Sequence, residues 1–199
     1  MLYVATKKPL YLLAGLGSGC VAAVALLSLR TCAPEVVAWK NPFSVYEGAG
    51  YQIVQGLFAI GTGSLFGMGL CQGSPNMIPF VKQDYMFAAI CEEMGVLFAM
   101  CLILICMSMF LLVVNISLQI KKPFYKLIAL GLGTEYAFQV FLTIGGVTKF
   151  IPMTGITLPL VSYGGSSVLS TIIMLAIIQG LYILREDEDE ELEKQKEKE

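Results

Sequence analysis

The sequence contains no histidine in 199 residues, which excludes imidazole bases, Ser-His-Asp and Cys-His nucleophile pairs, and histidine-built metal sites. Charge is also scarce: 14% of residues are charged and 56% are hydrophobic, a balance that excludes an ordinary soluble domain of this length. There is no CxxC pair, no Walker loop and no dinucleotide fingerprint, and no nucleic acid is expected as a partner. Cys20, Cys91, Cys101 and Cys106 lie in apolar runs and read as small hydrophobes. Cys32 and Cys71 fall in a less helical stretch, and the sequence leaves open whether they pair. Any acid–base chemistry must therefore come from carboxylates.

What is abundant is apolar length. Crossing a bilayer takes about 20 apolar residues, and four stretches satisfy this: 10–29, 85–120, 127–147 and 166–184. The expected fold is an all-α polytopic membrane protein with four transmembrane helices. Its membrane domain covers 1–185, with external loops at 30–84 and 148–165. No small-residue cleavage site follows a short apolar core, so no cleavable signal peptide is expected. Lys7 and Lys8, then Lys121, Lys122 and Lys126, then Arg185 fall on one side of four crossings, which places both termini in the cytoplasm. Residues 186–199 hold nine carboxylates and three lysines and read as a solvated, disordered or weakly helical tail.

Two uncharged segments resist a helical reading. Gly48 to Val81 carries eight glycines with Pro75 and Pro79, too many breakers for a regular lipid-facing helix. It reads as a large external loop lying partly in the interface, with a short amphipathic helix near Tyr51 to Ile60 and a glycine-rich turn through Gly61 to Ser64. Phe150 to Gly165, with Pro152 and Pro159, is apolar but irregular. Such backbone is tolerated at membrane depth only where protein or a water-filled cavity satisfies it. Ser166 and Ser167 are then placed to cap the last helix.

Only six acidic residues precede the tail. Glu35 and Glu47 read as loop charges. Glu135 is mid-span, where an ionisable group faces the bundle interior or a polar cavity. Asp84 stands at the external start of the second span, either capping that helix or acting as a base beside a partly desolvated cleft. One helix face cannot bury both Glu92 and Glu93, so at least one pairs with a neighbouring polar group. Lys82 and Lys149 flank the two loops, either as an anion site or as snorkelling side chains.

Three blocks then resemble one family. Gly50-Tyr51-Gln52 through Gln55-Gly56-Leu57-Phe58-Ala59-Ile60-Gly61-Thr62-Gly63-Ser64, continuing to Gly67-Met68-Gly69-Leu70, is similar to the "GYQ…QS…AIGSGG…GKGL" block of the FtsW/RodA/SpoVE (SEDS) proteins. Asp84-Tyr85-Met86-Phe87-Ala88-Ala89-Ile90-Cys91-Glu92-Glu93-Met94-Gly95 resembles "HTDFIFAVIGEELG". Pro152 through Gly155, Leu158-Pro159 and Ser162-Tyr163-Gly164-Gly165-Ser166-Ser167 resembles "P-x-x-G-x-x-L-P-x-x-S-Y-G-G-S-S". Lys82-Gln83 stands where the family has His-Thr. The family has about ten spans, and this chain resembles the last four.

The resemblance implies a peptidoglycan glycosyltransferase of the bacterial cytoplasmic membrane. Such an enzyme polymerises lipid II and works with a class B penicillin-binding protein. It makes Asp84 the catalytic base and allows a divalent cation such as magnesium or manganese. Substrate contacts are expected at Gln52, Lys82, Gln83, Lys149, Thr154, Thr157, Ser162, Ser166 and Ser167. Glu92, Glu93, Glu135, Gly155, Pro159, Gly164 and Gly165 are expected to shape the cavity. The rival readings are a lipid II carrier or flippase, and a non-catalytic remnant that binds the transpeptidase.

Overall fold

Helix formation in this chain is decided less by propensity than by where backbone groups find partners. A computed structural model describes residues 33–196, together with positions 10, 13–15, 17–19 and 21. The first expected span, 10–29, therefore falls largely outside the described residues. Among those residues the fold is all-helical. Helix α1 is Ala33–Lys40, with Glu35 in its first turn and Lys40 in its last, the polarity that a helix dipole favours. After a 3-10 turn at Pro42–Val45, α2 covers Ala49–Gly63. A second 3-10 turn at Pro75–Met77 precedes α3, Met86–Gln119. Helices α4, Pro123–Val147, and α5, Gly165–Lys196, complete the chain.

Three of these helices are long and apolar enough to cross a membrane: Met86–Gln119, Pro123–Val147 and Gly165–Glu186. They match the second, third and fourth expected spans. Helix α4 begins four residues earlier than expected because Pro123, which has no N–H to leave unpaired, starts it. Helix α5 runs on to Lys196 and takes in most of the acidic tail. Helices α3 and α4 form an antiparallel hairpin. Ser117 donates to Lys126 O at 2.9 Å near the turn, and Cys106, Tyr136, Val140 and Leu158 form a core further along. Leu181 of α5 joins Ile120 and Ala129 in a second cluster.

The segment expected as a large external loop lying partly in the interface docks into α3. Helix α2 is longer than the amphipathic stretch suggested, ending at Gly63, and its buried face packs on the start of α3. A Cβ at Gly63 would strike the Cys91 carbonyl, so only glycine permits this approach. The chain then turns at Ser64 and inserts Ser64–Gly69 into a break in α3 at Gly95 (φ 86°, ψ 164°). A continuous helix would bond the N–H groups of Val96 and Leu97 to the carbonyls of Glu92 and Glu93. Here Val96 and Leu97 donate to Ser64 O (3.0 Å) and Leu65 O (3.2 Å), while Met68 and Gly69 donate to Glu92 O (2.9 Å) and Glu93 O (3.0 Å). Two ladder bonds are exchanged for four bonds to the inserted segment, so the Glu92 and Glu93 carbonyls and the Val96 and Leu97 N–H groups all keep partners. This exchange explains how glycine-rich backbone survives roughly 14 Å along a membrane helix.

Candidate active site

The loop that begins with the inserted segment ends at Asp84, where separate contacts hold it. Gln52 on α2 donates to Pro79 O at 3.2 Å, and a tight turn follows in which Gln83 and Asp84 donate to Phe80 O at 2.9 and 3.1 Å. The next residue, Tyr85, is fully buried among Ala59, Ile78, Ala88, Cys91 and Val147. Asp84 is thus half-buried one residue from the best-anchored side chain in the region. Its carboxylate does not cap α3, whose N-terminus carries no side-chain cap.

The second loop, after α4, is held from below. The Thr143 hydroxyl lies 2.9 Å from both Gln139 O and Ile156 O, and Gln139 donates to Thr157 O at 3.0 Å. Thr157 donates to Ser167 Oγ at 2.8 Å, and the Leu158 N–H donates to the buried Ser162 hydroxyl at 3.0 Å. Trp39 of α1 donates to Lys149 O at 3.1 Å. The two loops then meet. Tyr163 N–H donates to Lys82 O at 2.8 Å, and a Cβ at Gly155 would lie 4.0 Å from Asp84 Oδ2. A cavity of about 630 Å³ opens at this junction, lined by Lys82, Met86, Val161, Ser162, Tyr163, Gly164, Gly165 and Val168. Its walls are mainly apolar, with one lysine among them, and Asp84 lies in the chain between the lining residues Lys82 and Met86. Burial raises the Asp84 carboxyl above the ordinary value of 3.8.

A family model described as a cell cycle protein, FtsW/RodA/SpoVE, matches residues 1–186. The chain belongs to the FtsW/RodA/SpoVE family. It is 40% identical over 144 residues to the peptidoglycan glycosyltransferase RodA of Mycobacterium tuberculosis, covering 72% of this chain and 31% of that protein. The RodA of Mycobacterium leprae is 35% identical over 183 residues, 89% of this chain and 38% of its own length. The stage V sporulation protein E of Bacillus subtilis is 37% identical over 145 residues, 72% of this chain and 39% of its own length. The chain therefore spans between about a third and two fifths of the length of these relatives.

Within this family frame, the expected site residues divide. Lys82, Ser162, Gly164 and Gly165 line the cavity; Asp84 and Gly155 are not among the lining residues and lie close to one another. Pro159 is buried under the second loop, and Thr154, Ser166 and Gln83 are exposed near the junction. Gln52, Thr157 and Ser167 are engaged with protein, and the Ser162 hydroxyl, though its residue lines the cavity, accepts from Leu158 N–H. Lys149 lies at the far end of the second loop, tied through its carbonyl to Trp39 and not among the lining residues. Glu92 is buried and accepts from Ser74 N–H at 3.0 Å, whereas Glu93 is half-buried. Glu135 is exposed on α4 in the described structure, not turned into the helix hairpin. Cys71 is exposed and free, and Cys32 lies outside the described residues.

Sequence reasoning missed Tyr85. Its hydroxyl is buried without a hydrogen-bond partner among the described residues, and its ring lies against Gly56, where any Cβ would collide with it. Burial, with the Asp84 charge beside it, pushes the hydroxyl well above the usual phenol range. An unpaired buried hydroxyl costs about 1–3 kcal/mol. Tyr85→Phe, which restores the residue of the family block at this place, is therefore expected to leave the thermal midpoint unchanged or raise stability by about 1 kcal/mol. A fall in the midpoint would show that the hydroxyl has a partner in the intact membrane protein.

Proposed function

We propose that these residues form the catalytic half of a peptidoglycan glycosyltransferase that polymerises lipid II. The observation carrying this reading is the meeting of the two motif loops, with Tyr163 N–H on Lys82 O and Asp84 Oδ2 beside Gly155. Asp84 takes the proton of the acceptor sugar hydroxyl, the resulting oxygen attacks the anomeric carbon of the lipid-linked donor, and undecaprenyl diphosphate leaves with the bonding pair. A carboxylate raised by burial is a stronger base than a solvated one, and it suits a chain without histidine. Lys82 supplies positive charge near the departing diphosphate, and the apolar walls suit a prenyl chain. A magnesium-type ion held through Asp84 would draw its other ligands from phosphate oxygens and water, and would neutralise the leaving group. Among the described residues no three His, Cys, Asp or Glu side chains gather to hold a metal, so such an ion would depend on the substrate.

A class B penicillin-binding protein is the expected partner, and the basic clusters support cytoplasmic termini. The test is polymerisation of lipid II by the intact protein with its partner, wild type against Asp84→Ala. Glycan strands from the alanine protein would overturn the reading. The same apolar cavity also suits a carrier that moves lipid II without bond chemistry, and such a carrier would keep its transport in Asp84→Ala.

The protonation state of Asp84 gives a second check. The base works only when ionised, so polymerisation is expected to fall as pH drops through the Asp84 pKa, with the inflection above 3.8. For stability the sign is opposite. A folded-state pKa above the unfolded value favours the folded protein at low pH, and that contribution is lost as pH rises through the folded pKa. Rate and stability moving in the same direction across this window would exclude Asp84 as the group responsible.

A further inference from the structure

The second loop carries Gly155 to the Asp84 carboxylate, yet its own backbone does little to hold it there. Among the described residues no backbone group from Pro152 to Thr157 bonds to another backbone group. The bonds that fix this stretch come from α4. Gln139 and Thr143 stand about one turn apart on one face of that helix. Gln139 Nε2 donates to Thr157 O at 3.0 Å, and the buried Thr143 hydroxyl lies 2.9 Å from Ile156 O. Two consecutive carbonyls are therefore gripped immediately after Gly155, whose φ is 68° and whose missing Cβ would lie 4.0 Å from Asp84 Oδ2. Thr157 extends the clamp to α5 through its hydroxyl bond of 2.8 Å to Ser167. An amide in the middle of a span, between the exposed rings of Phe138 and Phe141, is costly unless it has such a use.

We propose that Gln139 and Thr143 are positioning residues, which set the gap between Gly155 and the Asp84 carboxylate through the backbone of Ile156 and Thr157. This role rests on the reading of Asp84 as the base, and neither residue touches the reacting atoms. A narrow gap keeps water from one side of the carboxylate, so a loosened loop rehydrates it and lowers its pKa toward the ordinary 3.8. The titratable side chains on the segments that meet there are Lys82 and Tyr85 beside Asp84 and Tyr163 on the second loop, while Glu92 and Glu93 come about two turns into α3. Residues 150–167 carry no charged side chain, so movement of their loop changes the solvation of Asp84 and not the charge around it.

The test follows lipid II polymerisation against pH for the intact protein with its partner, in wild type, Gln139→Met, Thr143→Val and Thr143→Ser. Methionine keeps the length of glutamine without the donor, and valine keeps the shape of threonine without the hydroxyl. Each is expected to lower the plateau rate about tenfold, within the loss that a misplacement of about 1 Å produces, and to move the acid inflection down toward 3.8. Thr143→Ser, which keeps the hydroxyl, should restore both. A substitution that only unfolds part of the sample lowers the plateau and leaves the inflection in place. That result would overturn the proposal, as would an unchanged plateau in Gln139→Met and Thr143→Val. If Gln139→Met fails to fold, the Thr143 pair decides alone. Asp84→Asn run alongside separates the two failures. Its inactivity with full activity in Gln139→Met and Thr143→Val sinks the positioning role alone, whereas an Asn variant within tenfold of wild type removes the base and the positioning role with it.

Discussion

Asp84→Asn is expected to lower lipid II polymerisation by about 10²–10⁴-fold, the range that a positioned general base contributes. Asparagine has nearly the shape of aspartate and cannot accept the proton. The substitution should also leave the fold alone, because α3 has no side-chain cap and the turn at Phe80 is made by backbone N–H groups. The thermal midpoint of the variant should therefore match or slightly exceed wild type, since the buried charge is gone, while glycan product disappears. Asp84→Glu keeps the carboxylate on a longer arm in a space bounded by Gly155, whose missing Cβ would lie 4.0 Å from Oδ2. It should retain a small part of the activity. An Asn variant within tenfold of wild type would remove Asp84 from the chemistry.

The sequence made the site legible in outline because its signals were strong and local. A mid-chain aspartate at a span boundary, two irregular uncharged loops and an absence of histidine leave few candidates. The second, third and fourth expected spans were equally plain, since apolar length is a one-dimensional property. What composition did not reveal was the destination of the glycines. Counting them excluded a regular lipid-facing helix, and the count did not say where the segment docks, for a physical reason. Backbone groups have no identity in sequence, so an exchange of ladder bonds between Ser64–Gly69 and Glu92–Leu97 leaves no side-chain signature beyond Gly63, Gly67 and Gly95. The same limit applies to the serines and threonines of the second loop. Their polarity suggests substrate contacts, yet Thr157, Ser162 and Ser167 are engaged with one another's loop and with α5. Glu92 and Glu93 show the opposite case, where helical geometry alone required that at most one be buried on the packed face.

The largest stability effect is expected at the break in α3. Gly95 has φ 86° and ψ 164°, a region essentially closed to residues with a side chain, and forcing one there costs about 1–3 kcal/mol. A Cβ would also meet the Leu65 carbonyl and the Gly67 nitrogen, which are backbone atoms already committed to the junction. The combined cost of Gly95→Ala is expected to be about 3–5 kcal/mol, seen as a fall of roughly 10 °C in the thermal midpoint. Gly61→Ala is the matched control: it lies in α2 with nothing within 4 Å of the added Cβ. There alanine should be neutral or stabilise by up to about 1 kcal/mol, since glycine weakens a helix interior. If the two substitutions behave alike, the strand is not inserted in the membrane protein and α3 runs straight through Gly95. If they separate as expected, the loss reaches the active site as well. Gly67 and Asp84 belong to one loop, held at one end by the α3 junction and at the other by Tyr85. Freeing the first end should lower polymerisation while Asp84 itself remains chemically intact.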